Sequence, residues 1–246
     1  MKLTILGSSS SGNCYLFQAN NGETLIVECG IDTKEIKKAL NFDLANVVGC
    51  LVSHEHGDHS KSVQKMLDSG IDCYMSKGTC DSLSLNHHRA IILGEFKKIT
   101  IGSYKVMAFK TQHDCKDPVG FWIYHPEMGL TIFATDTFYV EYIFEGMNNI
   151  LIECNYAKDI LYKNVADGII TKTLRDRTLK SHFELENVKS FLMASNLLGV
   201  RNIGLLHLSD RNSDACRFKK EIEELTGINT TIAEQGIEID LSLYPF

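Results

Sequence analysis

The stretch that decides the fold is Val47-Val48-Gly49-Cys50-Leu51-Val52-Ser53-His54-Glu55-His56-Gly57-Asp58-His59. Its first six residues are apolar or small, which predicts a buried β-strand. The next seven carry three imidazoles and two carboxylates, which predicts a polar loop at the carboxyl end of that strand. We expect the chemistry of the protein to lie in this loop.

The order of the polar side chains in this loop is typical of a metal site. Imidazole nitrogens and carboxylate oxygens bind zinc, manganese and iron, and His54 and His56 point to one position if the chain is extended or tightly turned. Asp58 and His59 follow directly and point to a second position. Two metals about 3.5–4 Å apart can share a water as a nucleophile. The alternative is a solvated histidine-rich turn, but so many polar donors are costly to place beside a buried strand without a ligand.

Further metal-type ligands stand at the ends of other predicted strands. His113 follows strand 105–109, Asp136 follows strand 130–134 and His207 follows strand 202–206. Glu153 follows the apolar run 150–152 in the same way. Open α/β sheets place their sites at the carboxyl ends of strands, so we expect these side chains to meet those of the 53–59 loop.

The order of predicted elements indicates an α/β protein. Each half of the chain is a run of strands with helices after it, which predicts two mixed β-sheets packed face to face with helices outside. No composition shift, linker or repeat divides the sequence. We therefore expect one domain over residues 1–246.

Composition and charge exclude several classes of protein. The chain of 246 residues is 44% hydrophobic and 23% charged, with a formal net charge of −6, which is typical of a globular protein and not of a generic polyanion binder. No apolar run approaches the ~20 residues that span a bilayer, and the N-terminus lacks a secretory signal. The eight cysteines are scattered without a Cys-x-x-Cys pair. We expect a cytoplasmic protein with free thiols and no membrane partner.

The motif His-x-His-x-Asp-His at residues 54–59 resembles the signature of the metallo-β-lactamase superfamily. Taken together with four further segments, this motif makes the sequence resemble the YycJ (WalJ) family of small hydrolases related to ribonuclease Z. Those segments are Gly7-Ser8-Ser9-Ser10-Ser11-Gly12-Asn13-Cys14, Thr135-Asp136-Thr137, Glu153-Cys154-Asn155-Tyr156 and His207-Leu208-Ser209. The resemblance implies an αββα fold, a dinuclear metal centre and hydrolysis of phosphodiester bonds. It further implies 5′-to-3′ exodeoxyribonuclease activity, so we expect a nucleic acid substrate, with DNA favoured over RNA.

The same resemblance implies a role for each polar residue of the site. One metal is held by His54, His56 and His113, the other by Asp58, His59 and His207, and Asp136 bridges them. His182 corresponds to the histidine that donates a proton to the leaving oxygen in ribonuclease-Z-like enzymes, and Glu153 to the acid that orients it. Asp58 or Asp136 is expected to hold the nucleophile in line. The sequence departs from the family at Ser181-His182-Phe183, where YycJ-like sequences tend to have Gly-His-Leu. This difference affects the expected backbone conformation around His182 more than its imidazole.

Several residues are predicted to bind the substrate. The turn 7–13, with Ser9 and Asn13, offers backbone N–H groups and hydroxyls to a phosphate, although such turns often serve only to connect two strands. Ser209 and Arg211 are predicted to contact neighbouring phosphates, or else to act as a helix cap and a surface charge. Lys172, Arg175, Arg177 and Lys180 form a basic group just before His182 that can follow a polynucleotide backbone.

Three rival functions use parts of the same pattern. The first is another metallohydrolase with the same metal ligands: either a small-molecule hydrolase acting on a cyclic nucleotide, thioester or lactone, or an RNA-directed ribonuclease-Z-like nuclease. The second is a di-iron redox protein, which is expected to carry Glu in place of His56. The third is a metal-free scaffold. The ligand set accepts zinc, manganese or iron, and the sequence is compatible with a monomer or a homodimer.

Overall fold

The computed structural model describes residues 1–244, and their strands form two seven-stranded mixed sheets. The first sheet, in spatial order, contains β14 (Glu238–Asp240), β1 (Lys2–Ser9), β2 (Gly12–Gln18), β3 (Thr24–Val27), β4 (Val47–Leu51), β5 (Cys73–Met75) and β6 (Ala90–Ile92). Strands β3 to β6 are parallel, whereas β14, β1, β2 and β3 pair antiparallel. The carboxyl ends of β3 to β6 therefore lie at one edge.

The second sheet has the corresponding arrangement. It contains, in spatial order, β13 (Asn229–Ile232), β12 (Asn202–Leu206), β11 (Met147–Glu153), β10 (Gly129–Ala134), β9 (Val119–His125), β8 (Tyr104–Lys110) and β7 (Ile99–Ile101). Strands β10 to β13 are parallel. Because β8 and β10 both pair antiparallel with β9, β8 also ends at the same edge as β10 to β12.

Eight helices lie within the described residues, most of them after the parallel strands. They are α1 (Thr33–Ala39), α2 (Gly57–Ser60), α3 (Val63–Asp68), α4 (Lys77–Ser82), α5 (Lys158–Ala166), α6 (Lys172–Ser181), α7 (Leu185–Ala194) and α8 (Ala215–Thr226). None of the helices in residues 1–244 is long and apolar enough to cross a bilayer. The eight cysteines are free, and five of them are buried.

The sheets pack face to face around a central apolar cluster. Leu3 and Tyr15 of the first sheet and Phe121 and Phe133 of the second belong to it, and all four are fully buried. A second cluster joins the outer face of one sheet to α7 and α8, and a third joins the outer face of the other to α1 and α3. Strand β10 is buried on both faces and is apolar or small along its length, as such a layered arrangement requires. The predicted αββα architecture is confirmed.

Several elements differ from the prediction. Residues 157–180, which lack clear periodicity, form α5 and α6 with a small apolar cluster of their own. Strands β6 and β7 were not predicted. The turn expected over residues 7–13 is narrower, because β1 continues to Ser9 and β2 begins at Gly12. Asp58 and His59 lie on the short helix α2 and not in an open loop.

Candidate metal centre

The polar residues predicted for the site come together at the shared edge of the two sheets. His54, His56, Asp58 and His59 follow β4 of the first sheet. His113, Asp136 and His207 follow β8, β10 and β12 of the second sheet. The site is therefore built at the junction between the sheets, and each sheet supplies part of it.

Three imidazoles converge on one point. Nδ1 of His56 lies 3.2 Å from Nε2 of His54 and 3.2 Å from Nε2 of His113. With an Asp136 oxygen, these nitrogens all lie within 4.8 Å of one another. Three ring nitrogens and a carboxylate directed at the same small volume are typical of metal ligands.

A second group forms on the other side of Asp136. It consists of Asp58, His59 and His207 together with Asp136, again with ligand atoms within 4.8 Å of one another. Nε2 of His207 is buried and has no hydrogen-bond partner among residues 1–244, although Oδ2 of Asp58 is 3.5 Å away. A buried nitrogen with no hydrogen bond is costly, and coordination of a cation would satisfy it.

Asp136 contacts both groups. Its Oδ2 lies 3.5 Å from Nε2 of His113 and 3.3 Å from Nε2 of His59, while its Oδ1 lies 3.1 Å from Nδ1 of His207. The carboxylate is 2% exposed. This position is suited to a ligand shared by two cations.

The ring nitrogens that face away from the two groups are held by the protein. Nδ1 of His54 lies 2.9 Å from Ser53 Oγ, and Nδ1 of His113 is 2.7 Å from the Ser181 carbonyl oxygen, to which it donates. Such contacts fix the ring orientation of metal-binding histidines. Nδ1 of His59, by contrast, is buried with no hydrogen-bond partner among residues 1–244, and Oε2 of the fully buried Glu28 lies 3.6 Å from it. Glu28 was not singled out from the sequence, although an acid that follows an apolar strand is the signal that also identified Asp136.

Charge in the site is arranged to receive cations. Burial lowers the pKa of His54 well below its usual value and lowers that of His113, so both rings are neutral. Burial opposes ionisation of Asp58, yet the neighbouring imidazoles of His207 and His59 hold the pKa of its carboxyl well below the usual range. Burial also opposes protonation of His207, but Asp136 and Asp58 raise its pKa to about 10. The carboxylates thus favour positive charge at this point, and the donor set fits two divalent cations.

His182 and Glu153 form a pair beside these groups. Nδ1 of His182 lies 2.6 Å from Oε1 of Glu153, which is fully buried. Oε2 of Glu153 accepts hydrogen bonds from the backbone N–H groups of Thr137 and Phe183. Burial opposes protonation of His182, but the negative charge of Glu153 raises its pKa. Because Nδ1 binds Glu153, Nε2 is the ring nitrogen that His182 can offer to the cavity that it lines.

An open cavity of about 380 Å³ lies over the two ligand groups. Beyond the metal-type ligands, its walls include Ser10, Leu174, Arg177 and Thr178. A second cavity of about 270 Å³ shares His182 and His207 with the first and extends the cleft toward α8. Helix α6 therefore forms one wall of the whole cleft.

The residues predicted to bind substrate have different surroundings. Ser209 and Arg211 line the second cavity. Ser9 lines a third cavity of about 570 Å³, which Ser209 also lines. Asn13 is fully buried, so a substrate cannot reach it, and its amide instead contacts the Asp58 carbonyl at 3.2 Å and Nε2 of His59 at 3.1 Å. We therefore correct its role to support of the metal-binding segment.

A family model described as the metallo-β-lactamase superfamily matches residues 9–73, which contain β2 to β4 and the histidine motif. Over these residues the chain is similar to the metallo-β-lactamase superfamily. Among curated proteins similar to the chain, exodeoxyribonuclease YycJ of Bacillus anthracis is 23% identical over an alignment of 256 positions, which covers 97% of this chain and 92% of that protein.

Solved structures with the same fold cover nearly the whole chain. The metallo-β-lactamase fold protein YhfI of Bacillus subtilis superposes with a TM-score of 0.73 at 18% identity, covering 97% of this chain and 98% of that one. Human tRNase Z, short form, gives a TM-score of 0.64 at 14% identity, covering 98% and 99%. At these identities the similarity establishes the metallo-β-lactamase fold alone.

Proposed function

We propose that the protein is a metal-dependent phosphodiesterase that degrades nucleic acid, acting as a 5′-to-3′ exodeoxyribonuclease. The observation that carries the proposal is the His182–Glu153 pair, at 2.6 Å, beside two groups of metal-type ligands. A histidine held in this way can protonate a leaving alkoxide, which is the demanding step when a phosphodiester with a sugar leaving group is hydrolysed. The similarity to an exodeoxyribonuclease over 97% of the chain supports the same substrate class.

In this proposal, His54, His56 and His113 hold one cation, Asp58, His59 and His207 hold the other, and Asp136 lies between them. Divalent cations in these positions would lower the pKa of a shared water toward neutrality and offset negative charge on the attacked phosphate. Zinc and manganese both suit the donor set, and iron is the third candidate.

The remaining steps belong to the protein's own side chains. Asp58 and Asp136 are ionised and accept a hydrogen bond from the attacking water, which orients it. Glu153 keeps His182 protonated, and His182 then donates its Nε2 proton to the leaving oxygen. Such general-acid assistance contributes roughly 10²–10⁴ in rate. Arg211 and Ser209, in the cavity that His182 also lines, contact the phosphate on the leaving-group side.

The test begins with metal analysis of the purified protein, followed by cleavage assays on 5′-labelled single- and double-stranded DNA, on RNA and on bis(p-nitrophenyl) phosphate. We expect two metal ions per chain and shortening of DNA from its 5′ end. Preferential cleavage of RNA would identify an RNA-directed nuclease instead. A metal-loaded protein that cleaves none of these phosphodiesters would refute the proposal and favour a thioesterase or lactonase.

A further inference from the structure

Arg177 lies at one end of the cleft. Of the residues that line the cavity over the two ligand groups in the described chain, it is the one with a permanently charged cationic side chain. It projects from α6 beside the segment that carries His113. Arg211 lines the opposite end of the cleft, near His207. The two arginines thus lie on either side of the metal-type ligands.

The side chain of Arg177 is anchored through one nitrogen. Its Nε donates to Oδ2 of Asp114 at 2.8 Å, and Asp114 is the residue directly after His113. Neither terminal nitrogen of the guanidinium has a hydrogen bond to residues 1–244. The side chain is 59% exposed, so the ion pair itself contributes little to stability. What it does is fix the direction of a guanidinium whose two outer N–H groups remain available.

Such a guanidinium is matched to a phosphate. Two parallel N–H groups of arginine bind phosphate oxygens in a bidentate geometry that lysine cannot reproduce. The neighbouring basic residue Arg175 is different, since its Nε and Nη2 both bind Asp176 and its guanidinium lies over the Tyr162 ring.

We infer that Arg177 binds the phosphate adjacent to the scissile one, on the side of His54, His56 and His113. The inference rests on the proposed function, since a second phosphate exists only in a polynucleotide. It makes the cleft a binding site for three successive phosphates, with Arg177 and Arg211 at its two ends. Arg177 is then a determinant of specificity for polynucleotides over isolated phosphodiesters.

The experiment compares two substrates of the metal-loaded enzyme. Bis(p-nitrophenyl) phosphate has no second phosphate, whereas a short single-stranded oligonucleotide, DNA or RNA according to which the wild type cleaves, has several. For Arg177→Ala we expect kcat/KM on the oligonucleotide to fall by roughly ten- to a hundredfold, the usual range for a lost hydrogen bond to a charged group. The loss should appear mainly in KM, with activity on bis(p-nitrophenyl) phosphate within about twofold of wild type.

Three comparisons make the result specific. Arg177→Lys should restore only part of the loss, because one charge returns without the bidentate geometry. Arg89→Ala, whose guanidinium pairs with Asp72 at the opposite edge of the first sheet, should behave as wild type on both substrates. In the binding of a fluorescein-labelled single strand with hydrolysis-resistant phosphorothioate linkages to the metal-loaded protein, measured by anisotropy, Arg177→Ala should reduce the slope of log affinity against log salt by about 0.7.

A substrate with a neutral methylphosphonate in place of the adjacent phosphate should lower kcat/KM of the wild type as much as Arg177→Ala does. In the Arg177→Ala variant the same substrate should cause no further loss. Equal losses on both substrates, with a lower metal content, would show that Arg177 acts on His113 through Asp114 and would overturn the inference. So would an unchanged KM for the oligonucleotide. A wild-type enzyme that holds metals but cleaves no oligonucleotide would instead refute the proposed function.

Discussion

At the scale of single residues, the site depends on backbone conformations that are rare for side chains other than glycine. Glu28, Asp136 and His207 have φ of 64°, 42° and 51°. Each such residue costs on the order of 1–3 kcal/mol unless the surrounding structure imposes it. Glu28 and His207 directly follow β3 and β12, and Asp136 lies two residues after the end of β10. The left-handed backbone there turns these side chains toward the metal-type ligands.

His182→Ala tests the assignment of the proton donor. We expect the variant to keep its metals and to lose about 10²–10⁴ in kcat. The pH profile gives a second readout. Because Glu153 raises the pKa of His182, the donating form persists above the usual histidine range, and the wild-type rate should fall as pH rises through that pKa. This alkaline limb should disappear in His182→Ala.

The contrary result is equally informative, because His182, Glu153, Asp136 and His207 also lie close enough to hold an ion. Loss of one metal from His182→Ala, measured by elemental analysis, would make His182 a ligand. His54→Ala provides the comparison, since it should lose metal and hydrolysis together while the far-UV circular dichroism stays close to that of the wild type.

At the scale of elements, the turn after β3 and helix α2 are in contact at Gly30. A Cβ built there would lie 1.7 Å from the Asp58 carbonyl oxygen and 2.1 Å from its carbon. Only glycine permits this approach, which places Asp58 and His59 against the first sheet.

Gly30→Ala should therefore displace α2. We expect a loss of metal binding and a decrease of about 1–3 kcal/mol in the free energy of unfolding, as is usual for overpacking. Elemental analysis and urea denaturation measure the two effects. Gly57→Ala is the matched control, because its Cβ meets no atom within 4 Å, and it should retain its metals. A Gly30→Ala protein with a full complement of metal would show that the contact is dispensable.

The elements that carry the site were easier to predict than those that cover it. Strands β4, β10 and β12 are mainly apolar runs and β8 is flanked by lysines in an alternating pattern, and each is followed within three residues by a histidine or an acid. Periodicity and ligand chemistry therefore identify them together. Helix α6 has only Leu174 and Leu179 as apolar residues, five positions apart, which leaves no continuous apolar stripe. Its position over the cleft depends on tertiary contacts, including the hydrogen bond from His113 to the Ser181 carbonyl oxygen. Local sequence does not contain that information.

The burial of Asn13 was unpredictable for a similar reason. Its turn is rich in small hydroxyl residues and looks suited to an anion, but the approach of α2 covers it. The αββα class was predictable because it follows from the order of strands and helices. The distance between ligands on different sheets was not, since it depends on how the sheets pack.

At the scale of the whole molecule, the two groups of ligands connect the sheets. Asp58 and His59 come from the first sheet, and His207 and Asp136 come from the second. Cations bound to both would therefore stabilise the sandwich as well as serve catalysis, since a ligand that binds only the folded state raises its stability.

Removal of metal with a chelator should lower the melting temperature. At a free metal concentration 100 times Kd, binding contributes about 2.7 kcal/mol, which for a chain of this size corresponds to about 5–10 °C. Differential scanning calorimetry with and without chelator measures the shift. Asp136→Asn should reduce it, because its side chain contacts both groups. An unchanged melting temperature after verified removal of metal would mean that sheet packing alone sets the stability.

Helix α6 both orients a metal-type ligand and forms a wall of the cleft. Its Ser181 carbonyl oxygen accepts the hydrogen bond that orients the His113 ring, and three residues of the same helix, Leu174, Arg177 and Thr178, form the wall of the cleft. An outward swing of this helix to admit a bulkier strand would release the ring at the same moment. Helix α6 thus determines both the width of the entrance and the retention of the metal. Loop insertions that widen the opening would therefore also lower the affinity for metal.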